Sequence, residues 1–344
     1  MKIVTVMAGR QSGGAETYST DVMLKLHAAG VAQVVVMSRH APRFEELQTA
    51  GLRMAPEVLD APFSWLQKRA LRSLVEQEMP AIVHTWMRRA ASLVPGGLSQ
   101  PVIGWFGGYY EPSHFHRCTH FVGVTEDIVA HMKRQGVPAN RAFYIPTFPT
   151  ILDQPPVARS ALDTPEGAKV FLTLSRLHEK KGLDTFLRAL AKTPGAFGWI
   201  AGDGPLEADL KALAHALGLD DRVRFLGWRN DRAALLRSAD VCVLPSRYEP
   251  FGTVILEAWA AGVPFIAARS AGPEATVRDG TDGLLVPIDD VGALAAAMQR
   301  AGTDEALCRH LVAEGRASYE GRFTPEAVTR QWLQFYADLA ARRI

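Results

Sequence analysis

The chain has 344 residues, 48% of them hydrophobic, with 38 Lys and Arg against 36 Asp and Glu and three cysteines. That length suits two cores, and the near-neutral balance excludes a strongly basic nucleic-acid protein. Cys118, Cys242 and Cys308 lie far apart without Cys-x-x-Cys spacing, so they offer neither a disulfide framework nor a thiolate metal site.

No uncharged apolar run reaches the ~18 residues of a membrane span. The opening MKIVTVMAGRQSGGAE has no apolar signal core or small-residue cleavage site, so an unexported, cytoplasmic protein is expected. From there, short β-branched runs alternate with helical stretches: KIVTVMA, a helix over 15–29 ending at Gly30, QVVVMS, and later AIVHTW, PVIGWF and HFVGVT. Such alternation predicts βαβ units around a parallel sheet. Five of the 21 prolines then fall between Pro146 and Pro165, which predicts a linker.

After the linker come KVFLTLS, a helix from about Gly182, GWIAGDG, a helix over 206–217, VRFLGW, VCVLPS, an apolar helix containing Glu257, and PFIAAR. This predicts a second doubly wound domain. At the end, Thr324 and Pro325 open an amphipathic helix with an apolar stripe of Val328, Trp332, Phe335, Tyr336 and Leu339. The expected domains are 1–155, with the closing helix 325–344 packing back on it, and 166–324. Residues 1–150 carry 15 basic and 11 acidic side chains (+4), and residues 151–344 carry 23 and 25 (−2), which permits a mildly cationic face on the first domain. Two open α/β sheets put ligands at the carboxyl ends of their strands, in a cleft that two such domains would face.

The stretch RYEPFGTVILEAWAAGVP sets Glu249 before a Phe251-Gly252-Thr253 turn and Glu257 one turn inside the helix that follows. Free amides at that helix start make an anion site, and the flanking carboxylates can each accept paired hydroxyls. A nucleoside diphosphate sugar has this layout, with a diphosphate between a sugar and a ribose diol. The plainer alternative is that one glutamate complements the helix dipole and the other is solvated. In SRLHEKKG, Arg176 and Lys181 follow a strand and suit a diphosphate, although a basic loop can also be simply solvated. Gly13 and Gly14 open the first helix but do not form Gly-x-Gly-x-x-Gly, and no acidic residue ends the second strand, which disfavours a dinucleotide oxidoreductase.

SRLHEKKG, AGDGPLEADL, RVRFLGW, ADVCVLPSRYEPFGTVILEAWAAGVPFIA and DGLLVP, in this order over residues 168–300, resemble the family 4 glycosyltransferases of the GT-B fold. The resemblance implies two Rossmann-like doubly wound α/β domains and a retaining hexosyltransferase that uses a UDP- or GDP-hexose, with no other cofactor. It implies that Glu257 holds the ribose diol and Glu249 the donor-sugar hydroxyls. Arg176 and Lys181 would clamp the diphosphate beside Gly13, Gly14, Phe251, Gly252 and Thr253, and the base would lie near Gly227 and Trp228. His84 sits where relatives place a histidine close to the donor sugar, but Trp86 replaces the second histidine of their His-x-His, and a core-facing role is an equal alternative. No Asp-x-Asp occurs, so no metal site is expected.

On the acceptor side, Tyr109 and Tyr110 follow the paired Gly107 and Gly108 in an aromatic-rich stretch and are candidates to stack on a sugar; core packing is the alternative. In 63–74, Phe63, Trp65 and Leu66 lie near Lys68, Arg69 and Arg72, a candidate contact with an anionic membrane or else a helix packed on a sheet. The expected acceptor is a glycan or lipid-linked glycan of the bacterial cell envelope, such as a lipopolysaccharide core. A GT-B epimerase or phosphorylase, or a noncatalytic sugar-nucleotide module, is the alternative reading.

Overall fold

The computed structural model describes residues 1–9, 14–151 and 153–344. The chain divides into two compact units, Met1–Phe148 with Pro325–Ile344, and Pro149–Thr324. In the first unit, β1 (Lys2–Met7) leads through α1 (Gly14–Ala28) to β2 (Ala32–Met37). There follow α2 (Phe44–Thr49), β3 (Arg53–Met54), α3 (Glu57–Asp60), α4 (Ser64–Glu78) and β4 (Ile82–Trp86). The chain continues with α5 (Met87–Ser92), β5 (Val102–Phe106), β6 (His120–Gly123), α6 (Glu126–Arg134) and β7 (Ala142–Tyr144). The seven strands pair in the order β3-β2-β1-β4-β5-β6-β7, all parallel. Their β-branched runs are buried along nearly their whole length, as expected where helices cover both faces.

The second unit runs β8 (Lys169–Leu174), α7 (Leu183–Ala191), β9 (Ala196–Ala201), α8 (Glu207–Ala216), β10 (Val223–Gly227), α9 (Arg232–Ser238) and β11 (Val241–Leu244). It continues with α10 (Thr253–Ala261), β12 (Phe265–Ala268), α11 (Ala271–Thr276), β13 (Leu284–Val286), α12 (Val291–Thr303) and α13 (Glu305–Arg322). The order is β10-β9-β8-β11-β12-β13, again parallel. Phe171, Phe186, Leu187, Ile200, Val243, Ile266 and Met298 belong to its core. From the central β8 the chain winds outward through β9 to β10, then returns to β11 on the other side of β8. The loops after β8 and β11 therefore leave the sheet side by side, at a topological switch point.

The proline-rich stretch contains no strand or α-helix among its described residues, only a 3-10 turn at Arg159–Leu162. Arg159 fastens that turn to the second sheet: it reaches the Asp240 carboxylate at 2.9 Å and the Ala168 carbonyl at 2.6 Å, while Asp240 accepts the Val170 amide at 2.7 Å. The chain closes with α14 (Pro325–Ala340), whose predicted stripe is wholly buried and which packs on α1 and β4 of the first unit.

Gly182 shows how tightly the switch-point loops meet. Its φ is 61°, and a Cβ there would run into the Pro245 carbonyl oxygen at the end of β11. Gly195 has a similar φ of 72° but open space around it. Gly195→Ala should cost about 1 kcal/mol of backbone strain, and Gly182→Ala should cost about 1–3 kcal/mol beyond that for the clash. Urea unfolding of the two variants checks this; equal losses would contradict the close approach.

Candidate functional site

The switch point of the second unit gathers most of the residues singled out on that half of the chain. A 3-10 turn at Glu179–Lys181 follows β8 and carries Lys181 into contact with Glu249 of the loop after β11, Nζ to Oε2 at 2.6 Å. Both side chains are largely shielded, 23% and 15% exposed. Backbone bonds hold the loops together: the amides of Arg247 and Tyr248 both donate to the Lys180 carbonyl, at 2.9 and 3.1 Å. The Arg247 guanidinium donates to Asp184, Asp289 and the Glu179 carbonyl at 2.7, 2.9 and 2.7 Å.

The loop after β9 closes another side. The Leu177 amide donates to the Asp203 carbonyl at 2.7 Å, and the Gly202 amide to the Gly227 carbonyl at 2.8 Å, which joins the exits of β8, β9 and β10. Arg176, on the loop after β8, is exposed, and its guanidinium has no protein partner among the described residues. Trp228, next to Gly227, is 63% exposed and donates its indole N–H to Asn230.

Helix α10 begins beside Glu249. Gly252 caps it at φ 87°, Phe251 is buried against the Gly272 backbone, and the amides of Gly252, Thr253 and Val254 donate to no protein acceptor among the described residues. These amides and the helix dipole favour an anion. Ser175, Ser246 and Ser270, at the ends of the neighbouring strands β8, β11 and β12, each bury a hydroxyl without a partner. The edge thus holds two cationic side chains, free amides, orphaned hydroxyls and a carboxylate, a set suited to a polar, anionic ligand rich in hydroxyls.

Glu257 lies one turn into α10 and is buried. Its Oε2 is 2.6 Å from Arg232 Nη2 of α9, an ion pair without the alignment of a hydrogen bond. Burial pushes its carboxyl above the usual range, and Arg232 opposes that shift. The carboxylate lines a cavity of about 90 Å³ with Thr150, Gln154, Asn230 and Arg232. Arg232 and Arg247 escaped the sequence reading. Each acts on a partner distant in the chain, so no local spacing could have marked it.

The first unit gathers fewer of its candidates. Gly14 is the first residue of α1, and Gly13 lies outside the described residues. Tyr109 donates its hydroxyl to Asp127 at 2.6 Å and meets His131 edge-on, while Tyr110 stacks on Phe115; both rings are half-buried. His84 departs from the expectation of a donor-sugar contact and takes the core-facing alternative. It is fully buried in mid-β4, between Trp86 and Trp332 at 4.2 and 4.9 Å, with Nδ1 2.6 Å from the Tyr336 hydroxyl. Burial lowers its pKa from 6.5 to about 3, so it is neutral at pH 7. Among the described residues, no group of three or more His, Cys, Asp or Glu side chains could hold a metal ion, and no helix is long and apolar enough to cross a membrane.

Residues 156–318 match the family described as Glycosyl transferases group 1. The chain is 31% identical to the lipopolysaccharide core biosynthesis glycosyltransferase LpsE of Rhizobium meliloti, over 98% of this chain and 99% of that one. It is 32% identical to LpsD of the same organism, with both chains covered in full. Among solved structures it resembles Anabaena Alr3699/HepE in complex with UDP, with a TM-score of 0.83 and 20% identity over 98% of this chain and 100% of that one. The same Anabaena protein has been solved with UDP-glucose. The likeness, with parallel sheets of seven and six strands, bears out the GT-B fold class expected from the sequence.

The state of His84 has a measurable consequence. Between pH 6.5 and about 3 the unfolded chain binds a proton at this residue that the folded chain does not. Its contribution therefore favours unfolding as pH falls through that window, by at most about 1.4 kcal/mol per pH unit. Urea unfolding of the parent and His84→Gln at pH 7, 6 and 5 should show a shallower acid-side decline in the variant. Identical slopes would mean that His84 is not held neutral.

Proposed function

The chain belongs to the group 1 glycosyl transferases, and on that premise we propose that it is a retaining hexosyltransferase of the family 4 type that moves a hexose from a UDP- or GDP-sugar to a lipopolysaccharide core. The observation that carries this reading is the convergence at one switch point of Lys181, Glu249 and the open amides of α10, with Arg176 free on the same loop as Lys181. The relatives from Rhizobium meliloti are named for lipopolysaccharide core biosynthesis, and the Anabaena structural relative was solved with UDP and UDP-glucose. Both support the acceptor and donor classes.

In this reading the diphosphate binds at the start of α10, Glu257 accepts the ribose hydroxyls, Trp228 and Gly227 adjoin the base, and Glu249 accepts hydroxyls of the sugar. Without donor, Lys181 and Glu249 neutralise each other. Donor binding gives the lysine a phosphate and the glutamate a sugar, so the ion pair is exchanged for two charge-assisted contacts. The acceptor hydroxyl then forms the new bond to the anomeric carbon as its bond to the diphosphate oxygen breaks. The departing phosphate takes the acceptor proton on the same face of the sugar, which retains configuration. Negative charge grows on that phosphate, and Arg176, Lys181 and the α10 amides oppose it in fixed positions. The reading needs no metal ion. Tyr109 and Tyr110, after β5, are the first unit's candidates for the acceptor.

Membrane-embedded acceptors also give a role to the start of α4. Phe63 and Trp65 are 59% and 61% exposed and stack on one another, with Arg69 exposed beside them and Lys68 and Arg72 half-buried. This supports peripheral binding to an anionic bilayer at the cytoplasmic face.

Lys181→Ala and Arg176→Ala should each lower kcat by about 10²- to 10³-fold, with EDTA leaving the parent unaffected; sugar transfer at saturating donor measures this. Loss of turnover in EDTA with recovery in magnesium, or variants within threefold of the parent, would refute the metal-free clamp. Phe63→Ser with Trp65→Ser should abolish cosedimentation with vesicles containing phosphatidylglycerol. Unchanged cosedimentation would refute the membrane contact.

A further inference from the structure

Glu257 is the only ionisable residue of α10, in the otherwise apolar stretch TVILEAWAA. A carboxyl in such surroundings tends to hold its proton, and a protonated carboxyl loses acceptor capacity to its own O–H. Its worth as a ligand for hydroxyls therefore depends on what keeps it charged. The groups that face it are few. Arg232 approaches from α9 at 2.6 Å, and the buried Cys242 thiol of β11, itself driven toward the neutral form by burial, is the other titratable neighbour. On the α13 side, Arg316 donates to the Ala260 carbonyl and is paired with Glu320.

The cavity of about 90 Å³ beside this pair contains two orphaned acceptors, Glu257 Oε2 and Gln154 Oε1, both buried without a hydrogen-bond donor. These two acceptors have no donor aligned on them, and a vicinal diol supplies two. Arg232 fills the electrostatic need of Glu257 without using its hydrogen-bonding capacity, because the contact is an unaligned ion pair.

We propose that Arg232 is a positioning residue for the nucleotide: its guanidinium keeps the buried Glu257 carboxylate ionised and turned to the cavity, where it accepts from the two ribose hydroxyls. The proposal rests on the nucleotide-sugar reading of this unit. Arg232 has its place in recognition through Glu257. Its side chain is 41% exposed, so replacing it leaves the core intact.

The sign of the effect follows from the burial. Without Arg232, nothing opposes the upward drive on the Glu257 carboxyl. The residue then becomes protonated at a higher pH than in the parent, and affinity for the diol falls as the solution is acidified. Lysine in place of Arg232 keeps the charge and should keep the affinity. A role confined to folding would be indifferent to pH in this manner and would not distinguish a ribose from its deoxy form.

The test is calorimetric titration of the full chain with UDP and with 2′,3′-dideoxy-UDP between pH 5.5 and 8.5. The parent and Arg232→Lys should prefer UDP by tenfold or more, the order of one charge-assisted hydrogen bond. Arg232→Gln should lose about tenfold of that preference at pH 5.5 and regain it toward pH 8.5, with dideoxy-UDP binding unchanged. Glu257→Gln should lose the preference at every pH. If Glu257→Gln retains the preference, the nucleotide reading itself fails. If Glu257→Gln loses it but Arg232→Gln matches the parent throughout, or weakens both ligands equally at all pH, the role assigned to Arg232 is overturned.

Discussion

Arg247 makes one rigid piece of the two loops on which the candidate site is built. Its own amide and that of Tyr248 share the Lys180 carbonyl, and its guanidinium spans Glu179, Asp184 and Asp289. The loops come from strands that are neighbours in space but separated by some 70 residues of chain, so only the sheet order β9-β8-β11 brings them together. Single surface ion pairs contribute little. Here the same guanidinium satisfies a backbone carbonyl and two carboxylates on three segments, and the constraint is geometric more than energetic. Lys181 and Glu249 meet at 2.6 Å because the turns that carry them are already tied.

Each of the two carboxylates of the site is matched by a cation, and the two pairs differ in kind. Lys181 and Glu249 form a short hydrogen-bonded pair that keeps some exposure, which in the proposed reading lets an incoming phosphate compete for the lysine. Glu257 is held deeper, against a half-exposed arginine whose N–H groups are not aligned on it. Burying a charge without a partner is costly, and a fully satisfied pair would have no acceptor left for a ligand. The arrangement at Glu257 lies between these limits. Charge is compensated while acceptor capacity stays open, which suits the hydroxyl-binding role proposed for it.

The second unit was the more legible half in the sequence because its site consists of loop residues directly after strands, each strand announced by a β-branched run. VCVLPS predicted β11 and the Phe251-Gly252-Thr253 turn predicted the start of α10, and both stand within a residue or two of their observed bounds. The strands β3, β7 and β13, of two or three residues, escaped because so short a run carries no periodicity. Arg232 and Arg247 escaped for a different reason. An arginine in a loop or first helical turn looks solvated until the fold shows which distant carboxylate it faces.

His84 illustrates the limit in the first unit. AIVHTW predicts its strand, but whether the imidazole turns to a ligand or to the core depends on residues some 250 positions later. Trp332 and Tyr336 of α14 close over it, and Trp86 covers the opposite side. The Tyr18 hydroxyl joins the same cluster by accepting from the Trp332 indole and donating to the Pro146 carbonyl. The chain therefore completes the core of its first unit only after the second has been made, with a helix whose stripe is legible in sequence but whose partner is not. Aromatic side chains with hydrogen-bonding tips suit such a seam, because they bury large apolar surfaces and still satisfy one another's polar atoms. The same polar tips explain why a histidine there can be mistaken, in sequence, for part of a binding site.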